Sequence, residues 1–182
     1  MKQKRRTHLS KFLSLILRHK PEEIGLTLDR GGWVEIEKLL TRANRQGVNL
    51  DRATLKEIVE SNPKNRFEIS MDGERIRARY GHSLEVNLGY QPQEPPDVLY
   101  HGTAHRFLKD IKQNGLRSQG RKYVHLSSTA KVARQVGSRH GKPIILRLDA
   151  RRMQADGCDF YSPTEEIWLV KDVPPEYLLQ VK

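Results

Sequence analysis

The hydrophobic period of this chain changes between Val59 and Phe67, and that change limits what the front of the molecule can be. Before it, apolar residues recur at helical spacing. Leu9, Phe12, Leu13, Ile16 and Leu17 share one face of a first helix, which Pro21 stops soon after Arg18-His19. Ile36, Leu39, Leu40 and Ala43 define a second helix, with Gly47 just past its end. Asp51 can cap a third, carrying Leu55, Ile58 and Val59, and Pro63 ends it. After the change, Phe67, Ile69 and Met71 alternate, Asp72-Gly73 reads as a two-residue hairpin turn, and Ile76, Ala78 and Tyr80 alternate on the return strand. Arg75, Arg77 and Arg79 then fall together on that strand's other face.

Helices followed by a hairpin predict a winged-helix lobe over residues 1–89. Residues 90–97, rich in Pro and polar side chains, read as a linker. Residues 98–182 form a second lobe of short mixed elements. Strands are expected at Val98-Leu99-Tyr100, at 123–126, at 144–148 and at 167–170. Helices are expected around Phe107, Leu108 and Ile111, and from Val132 to Val136. The fold class is therefore α+β.

Lys and Arg number 33 against 22 Asp and Glu, a formal net charge of +11, which points to a polyanionic partner. Cys158 is the single cysteine, so an internal disulfide and a CxxC metal knuckle are both excluded. No apolar run approaches the roughly 18 residues of a membrane span. The basic start Met1-Lys2-Gln3-Lys4-Arg5-Arg6 lacks the apolar stretch of a signal peptide. A cytoplasmic monomer with no membrane partner is expected.

Several residues have both a plain and a chemical reading. Arg18-His19, in the last turn of the first helix, suit the helix dipole or an anion. Arg66 opens a strand, and the row of Arg75, Arg77 and Arg79 is either a solvated face or an RNA contact. His82-Ser83, beside Gly81, could approach a phosphate. Tyr100-His101-Gly102-Thr103 is expected to end a strand and open a helix, with Gly102 letting the backbone approach a ligand and Thr103 serving as cap. His125 lies in a strand followed by Ser127-Ser128-Thr129. No GxGxxG or GxxxxGK[ST] loop and no HExxH zinc motif occurs.

Taken in order, Lys11-Phe12-Leu13-Ser14-Leu15-Ile16-Leu17-Arg18-His19-Lys20-Pro21, Gly31-Gly32-Trp33-Val34, Arg66-Phe67, Ile76-Arg77-Ala78 leading to Gly81-His82-Ser83, Leu99-Tyr100-His101-Gly102-Thr103 and Tyr123-Val124-His125-Leu126-Ser127 resemble the tRNA 2′-phosphotransferase family over nearly the whole chain. The resemblance implies a winged-helix lobe that binds RNA and a second lobe like the ADP-ribosyltransferase fold that holds NAD⁺, consumed as co-substrate without any metal. It implies two steps: the RNA 2′-phosphate displaces nicotinamide to give an ADP-ribosylated phosphate, then a ribose hydroxyl takes the phosphate, releasing RNA and ADP-ribose 1″,2″-cyclic phosphate.

By motif, the resemblance assigns catalysis to Arg18, His19, Arg66 and Arg121. It places His101, Gly102, Thr103, His125 and Ser127 around NAD⁺, together with Ser138 and Arg139 of the stretch Ser138-Arg139-His140-Gly141. Arg75, Arg77, His82 and Ser83 are the expected RNA contacts. Arginine suits this chemistry, since it stays charged and presents a planar fork of donors to phosphate oxygens. One departure stands out: Glu165-Glu166-Ile167-Trp168-Leu169 where the family commonly reads Asn-Gly-Val-Trp-Leu. Two other readings remain at this point, an ADP-ribosyltransferase acting on nucleic-acid phosphate ends and a catalytically weak RNA-binding protein.

Overall fold

A computed structural model describes residues 2–179, apart from the side chain of His140. Among the described residues the chain forms six α-helices and two antiparallel sheets, a mixed α/β architecture. It divides into two compact units, one ending at Gly89 and the other starting at Tyr90.

In the first unit, α1 (Gln3–Arg18), α2 (Ile36–Arg45) and α3 (Arg52–Glu60) bury the apolar stripes expected of them. Leu13, Leu17, Leu39, Ala43 and Leu55 are fully enclosed in one core. The Asp51 carboxylate caps α3 by accepting from the Thr54 amide at 2.7 Å, which holds that carboxyl below its usual pKa range. A three-stranded sheet follows, in the order β1 (Val34–Glu35), β3 (Arg75–Ala78), β2 (Phe67–Ile69). The strand β1 was not legible in the sequence, because two residues carry no period; its pairing with Ile76 and Arg75 creates it.

The hairpin turn differs from expectation. Ile69 pairs with Ile76, and the Ser70 amide donates to the Arg75 carbonyl, leaving residues 71–74 as a four-residue loop. The Asp72 carboxylate accepts from the Ser70 hydroxyl and the Glu74 amide, and Gly73 takes a positive φ of 76°. Met71, expected to continue the buried alternation, therefore lies in the loop and is fully exposed.

In the second unit, a six-stranded antiparallel sheet runs β7-β8-β5-β4-β6-β9. Its strands are β4 (Val98–Ala104), β5 (Val124–Ser127), β6 (Pro143–Asp149), β7 (Tyr161–Thr164), β8 (Ile167–Val170) and β9 (Leu178–Leu179). Leu99, Leu126, Leu148 and Val170 face an apolar core completed by Ile111 of α4 (Leu108–Asn114) and Met153 of α6 (Ala150–Ala155). The α5 helix (Ala130–Gly137), capped by the Thr129 hydroxyl, packs on β4 and β6. The stretch from Tyr90 to Asp97 has no regular structure but is held within this unit. The Gln93 amide donates to the Phe160 carbonyl, the Asp97 carbonyl accepts from Ala150, and Tyr90 packs with Tyr123 and Tyr161.

Candidate functional site

The first unit gathers Arg18, His19, His82 and Ser83 around the C-terminus of α1. Arg18 is buried, its guanidinium 4.9 Å from the Tyr80 ring centroid and 5.9 Å from that of Phe67. Tyr80 is anchored by its hydroxyl, which donates to the Lys64 carbonyl at 2.7 Å. The Arg18 carbonyl accepts from the Ser83 amide at 3.0 Å, and the His19 Nδ1 lies 2.9 Å from the Ser83 hydroxyl. Arg66, the residue before Phe67, donates to the buried Asn62 side chain at 3.1 Å. Asn62 also accepts from the Lys64 amide, so it is a fixed support.

His82 is enclosed on all sides. Burial first, then the positive Arg18, His19 and Arg77, push its pKa from 6.5 down to about 4, against a weak opposing pull from the Leu17 carbonyl. It is a neutral imidazole among cations at neutral pH. The unfolded chain takes up that proton near pH 6.5 while the folded chain refuses it until about pH 4. Its contribution to stability is therefore complete above pH 6.5 and is lost as pH falls toward 4, on the order of 3 kcal/mol at the acid end. Thermal melts of the wild type and His82→Gln across this range test the point. The wild type should lose melting temperature more steeply on acidification, and parallel curves would refute it.

The arginine row is engaged by side chains of its own unit. Arg77 pairs with Glu68, donates to the Gly31 carbonyl at 3.1 Å and lies 4.4 Å from the Trp33 ring centroid. Arg79 reaches the other Glu68 oxygen at 3.5 Å, and Arg75 stands 5.6 Å from the Trp33 centroid, near Asp29. Two acids, Glu68 and Asp29, and one indole thus offset the like-charge repulsion that the sequence alone left to solvent or an anion. Glu68 and Trp33 carried no periodic signal for this role.

In the second unit the sheet is parted at its centre. Strands β4 and β5 pair at one position, Tyr100 with Ser127. Next to it the ring of His101 spans to the other strand, donating from Nδ1 to the His125 carbonyl at 3.0 Å. His125 in turn donates from Nδ1 to the Tyr123 carbonyl at 3.0 Å. A carbonyl can only accept, so both rings carry a proton on Nδ1, and their Nε2 atoms are acceptors while the rings are neutral. Thr103 and Ser127 are buried beside them in these strands.

Two expectations here are corrected. Thr103 does not cap a helix: His101, Gly102 and Thr103 all lie inside β4, which runs on to Ala104. Nor is the open side of Gly102 turned toward a ligand. A Cβ there would be driven into the Ala133 carbonyl, 2.6 Å from its carbon and 2.9 Å from the Gly137 amide nitrogen of α5. Gly137 returns the contact, since its own Cβ would stand 2.9 Å from the Thr103 carbonyl. The two glycines let a helix lie directly on a strand.

Arg121 is exposed in an irregular stretch before β5. Ser138 spends its hydroxyl on the Arg134 carbonyl at 2.7 Å at the end of α5, and Arg139 beside it is exposed. The side chain of His140 lies outside those described. Glu165 and Glu166 form the exposed turn between β7 and β8, with Thr164 paired to Ile167. Among the described residues no group of three or more His, Cys, Asp or Glu is placed to hold a metal ion, and no helix is long and apolar enough to cross a membrane.

In the first unit a buried guanidinium braced by aromatic rings and a second arginine held by an amide suit an anionic ligand; in the second unit, histidines of fixed tautomer beside small hydroxyl residues suit a hydroxyl-bearing one. Comparison with known proteins makes this specific. Residues 4–172 match the model of the RNA 2′-phosphotransferase, Tpt1 / KptA family. A probable RNA 2′-phosphotransferase of Agrobacterium fabrum is 52% identical over 172 residues, covering 94% of this chain and 92% of that one. Those of Hahella chejuensis and Acaryochloris marina are 52% and 48% identical, covering 93% and 96% of this chain and 91% and 96% of theirs. The chain belongs to the RNA 2′-phosphotransferase family.

Proposed function

We propose that this protein removes an internal 2′-phosphate from RNA, of the kind left at a tRNA splice junction, and transfers it to NAD⁺, which is consumed. The observation that carries the reading is the family match along residues 4–172. In this reading the first unit is a winged-helix RNA-binding lobe and the second an ADP-ribosyltransferase-like lobe, in a cytoplasmic monomer.

The second unit's residues fit NAD⁺ by their chemistry. The imidazoles of His101 and His125, each pinned through Nδ1 to a backbone carbonyl, with the hydroxyls of Thr103 and Ser127 beside them, suit the ribose groups of a dinucleotide. Gly102 supports this set by seating α5, and Ser138 and Arg139 complete the proposed contacts. NAD⁺ supplies a labile nicotinamide–ribose bond and a neighbouring hydroxyl to receive the phosphate. The protein supplies charge and orientation. Arg18, Arg66 and Arg121 offset the phosphate's negative charge as it builds during transfer, and His19 orients the phosphate oxygens. Arg75 and Arg77, set against Trp33, are proposed as RNA contacts; of the other two residues expected there, His82 is buried and Ser83 is turned to the end of α1.

Incubation with NAD⁺ and an oligonucleotide bearing one internal 2′-phosphate tests the reading. The expected products are nicotinamide, ADP-ribose 1″,2″-cyclic phosphate and RNA with a plain 2′-hydroxyl. Accumulation of ADP-ribosylated RNA alone would support an ADP-ribosyltransferase instead, and no product would leave an RNA-binding protein. RNA affinity should also fall steeply from 50 to 200 mM salt as phosphate contacts release counterions, by a factor of about 10² or more if several phosphates are neutralised. A flat response in a filter-binding titration would remove the basic surface from the account.

A further inference from the structure

Ser83 makes two separable holds on the end of α1. Its amide donates to the Arg18 carbonyl at 3.0 Å, closing one of the open carbonyls of the last helical turn. Its hydroxyl meets His19 Nδ1 at 2.9 Å and stands 3.5 Å from the same Arg18 carbonyl. A hydroxyl has one hydrogen, and a carbonyl can only accept. When that hydrogen turns to Arg18, the Ser83 oxygen is left to accept from Nδ1–H of His19.

The surroundings fit a positioning function. Tyr80, Gly81, His82 and Ser83 follow one another and each borders Arg18 or His19. The Tyr80 ring lies under the guanidinium, a Cβ on Gly81 would stand 3.4 Å from an Arg18 nitrogen, and His82, held neutral first by burial, feels both Arg18 and His19. Four adjacent residues therefore wrap the helix end, and Ser83, itself exposed, meets the imidazole with its hydroxyl.

We infer that Ser83 is a positioning residue for His19: its hydroxyl, 2.9 Å from Nδ1, fixes the orientation of the imidazole on which the proposed phosphate transfer depends. This rests on the proposed transfer reaction and assigns Ser83 a different task from direct RNA contact. Ser83→Ala keeps the amide, and with it the end of α1, while deleting the hydroxyl. Ser83→Thr restores a hydroxyl, and the exposed position has room for its methyl group.

The test is single-turnover transfer with NAD⁺ and the 2′-phosphorylated oligonucleotide, together with the ¹⁵N NMR signals of His19 in wild type and variants. Ser83→Ala should lower kcat about tenfold, the worth of one hydrogen bond, with KM for RNA within a factor of two. Ser83→Thr should recover most of the loss, and the His19 Nδ1 signal should move in Ser83→Ala and return in Ser83→Thr. Unchanged kcat, or a rise in KM alone, would overturn the assignment, the latter in favour of RNA contact. Should wild type give no transfer, the proposed function fails. The NMR comparison still decides whether Ser83 holds His19, and an unmoved Nδ1 signal sinks the inference.

Discussion

Gly102→Ala is expected to unfold the second unit. The new methyl group would occupy the space of the Ala133 carbonyl, and neither side can yield cheaply. Gly102 pairs with Ile145 in the middle of β4, and Ala133 and Gly137 are both fully or nearly buried in α5. The obstructing atoms are backbone, so no rotamer change relieves the clash. Overpacking of a core by one methyl group commonly costs 1–3 kcal/mol, and a backbone-to-backbone contact belongs at or beyond the top of that range. A domain with a total stability of about 5–15 kcal/mol has little margin for it. Urea unfolding followed by circular dichroism should show a much lower midpoint, or no folded baseline, for Gly102→Ala. Gly137→Ala, with less severe distances, should be milder. An unfolding free energy within about 0.5 kcal/mol of wild type would mean that α5 does not rest on β4 as described.

The second large effect separates two arginines. Arg121→Ala should lower turnover by about 10²- to 10³-fold, the range for removing one fixed donor to developing negative charge. Its melting temperature should stay within a degree or two of wild type, because the side chain is exposed. Arg18→Ala should lose turnover to a similar degree and also lose stability, by about 1–2 kcal/mol. Its guanidinium is buried over Tyr80 and Phe67, and truncation removes both the cation–ring attraction and the packing of the stem. Steady-state kinetics beside thermal melts would show the contrast. Full activity in Arg121→Ala would remove it from the catalytic set, and an Arg18→Ala protein with unaltered melting would contradict the burial of that side chain.

Much of the fold was legible because local period and punctuation agree with the final structure. The stripes of α1, α2 and α3, the cap at Asp51, the alternation of β2 and β3 and the apolar run of β8 are encoded within a few residues of each other. The strands β1, β7 and β9 were not legible. They are two to four residues long; β1 and β9 pair with strands distant in sequence, and β7 meets its neighbour β8 only in an irregular register. The turn at 71–74 was misread because Asp72-Gly73 suits a tight turn, whereas the Asp72 carboxylate, the Ser70 hydroxyl and the Glu74 amide close a wider one.

The site divides the same way. Sequence by itself determined which residue types are present and in what order: two arginines and a histidine in the first unit, paired histidines with small hydroxyl residues in the second, and an excess of positive charge. Motif order alone also carried the family. Tertiary structure decided what each one touches. It turned the open side of Gly102 toward α5, tied Arg77 and Arg79 to Glu68, enclosed His82 among cations and set the His101 and His125 tautomers through carbonyls on neighbouring backbone. Side-chain identity is a local property, whereas a hydrogen bond, a steric limit or a shifted proton affinity depends on atoms that only folding brings within a few ångströms.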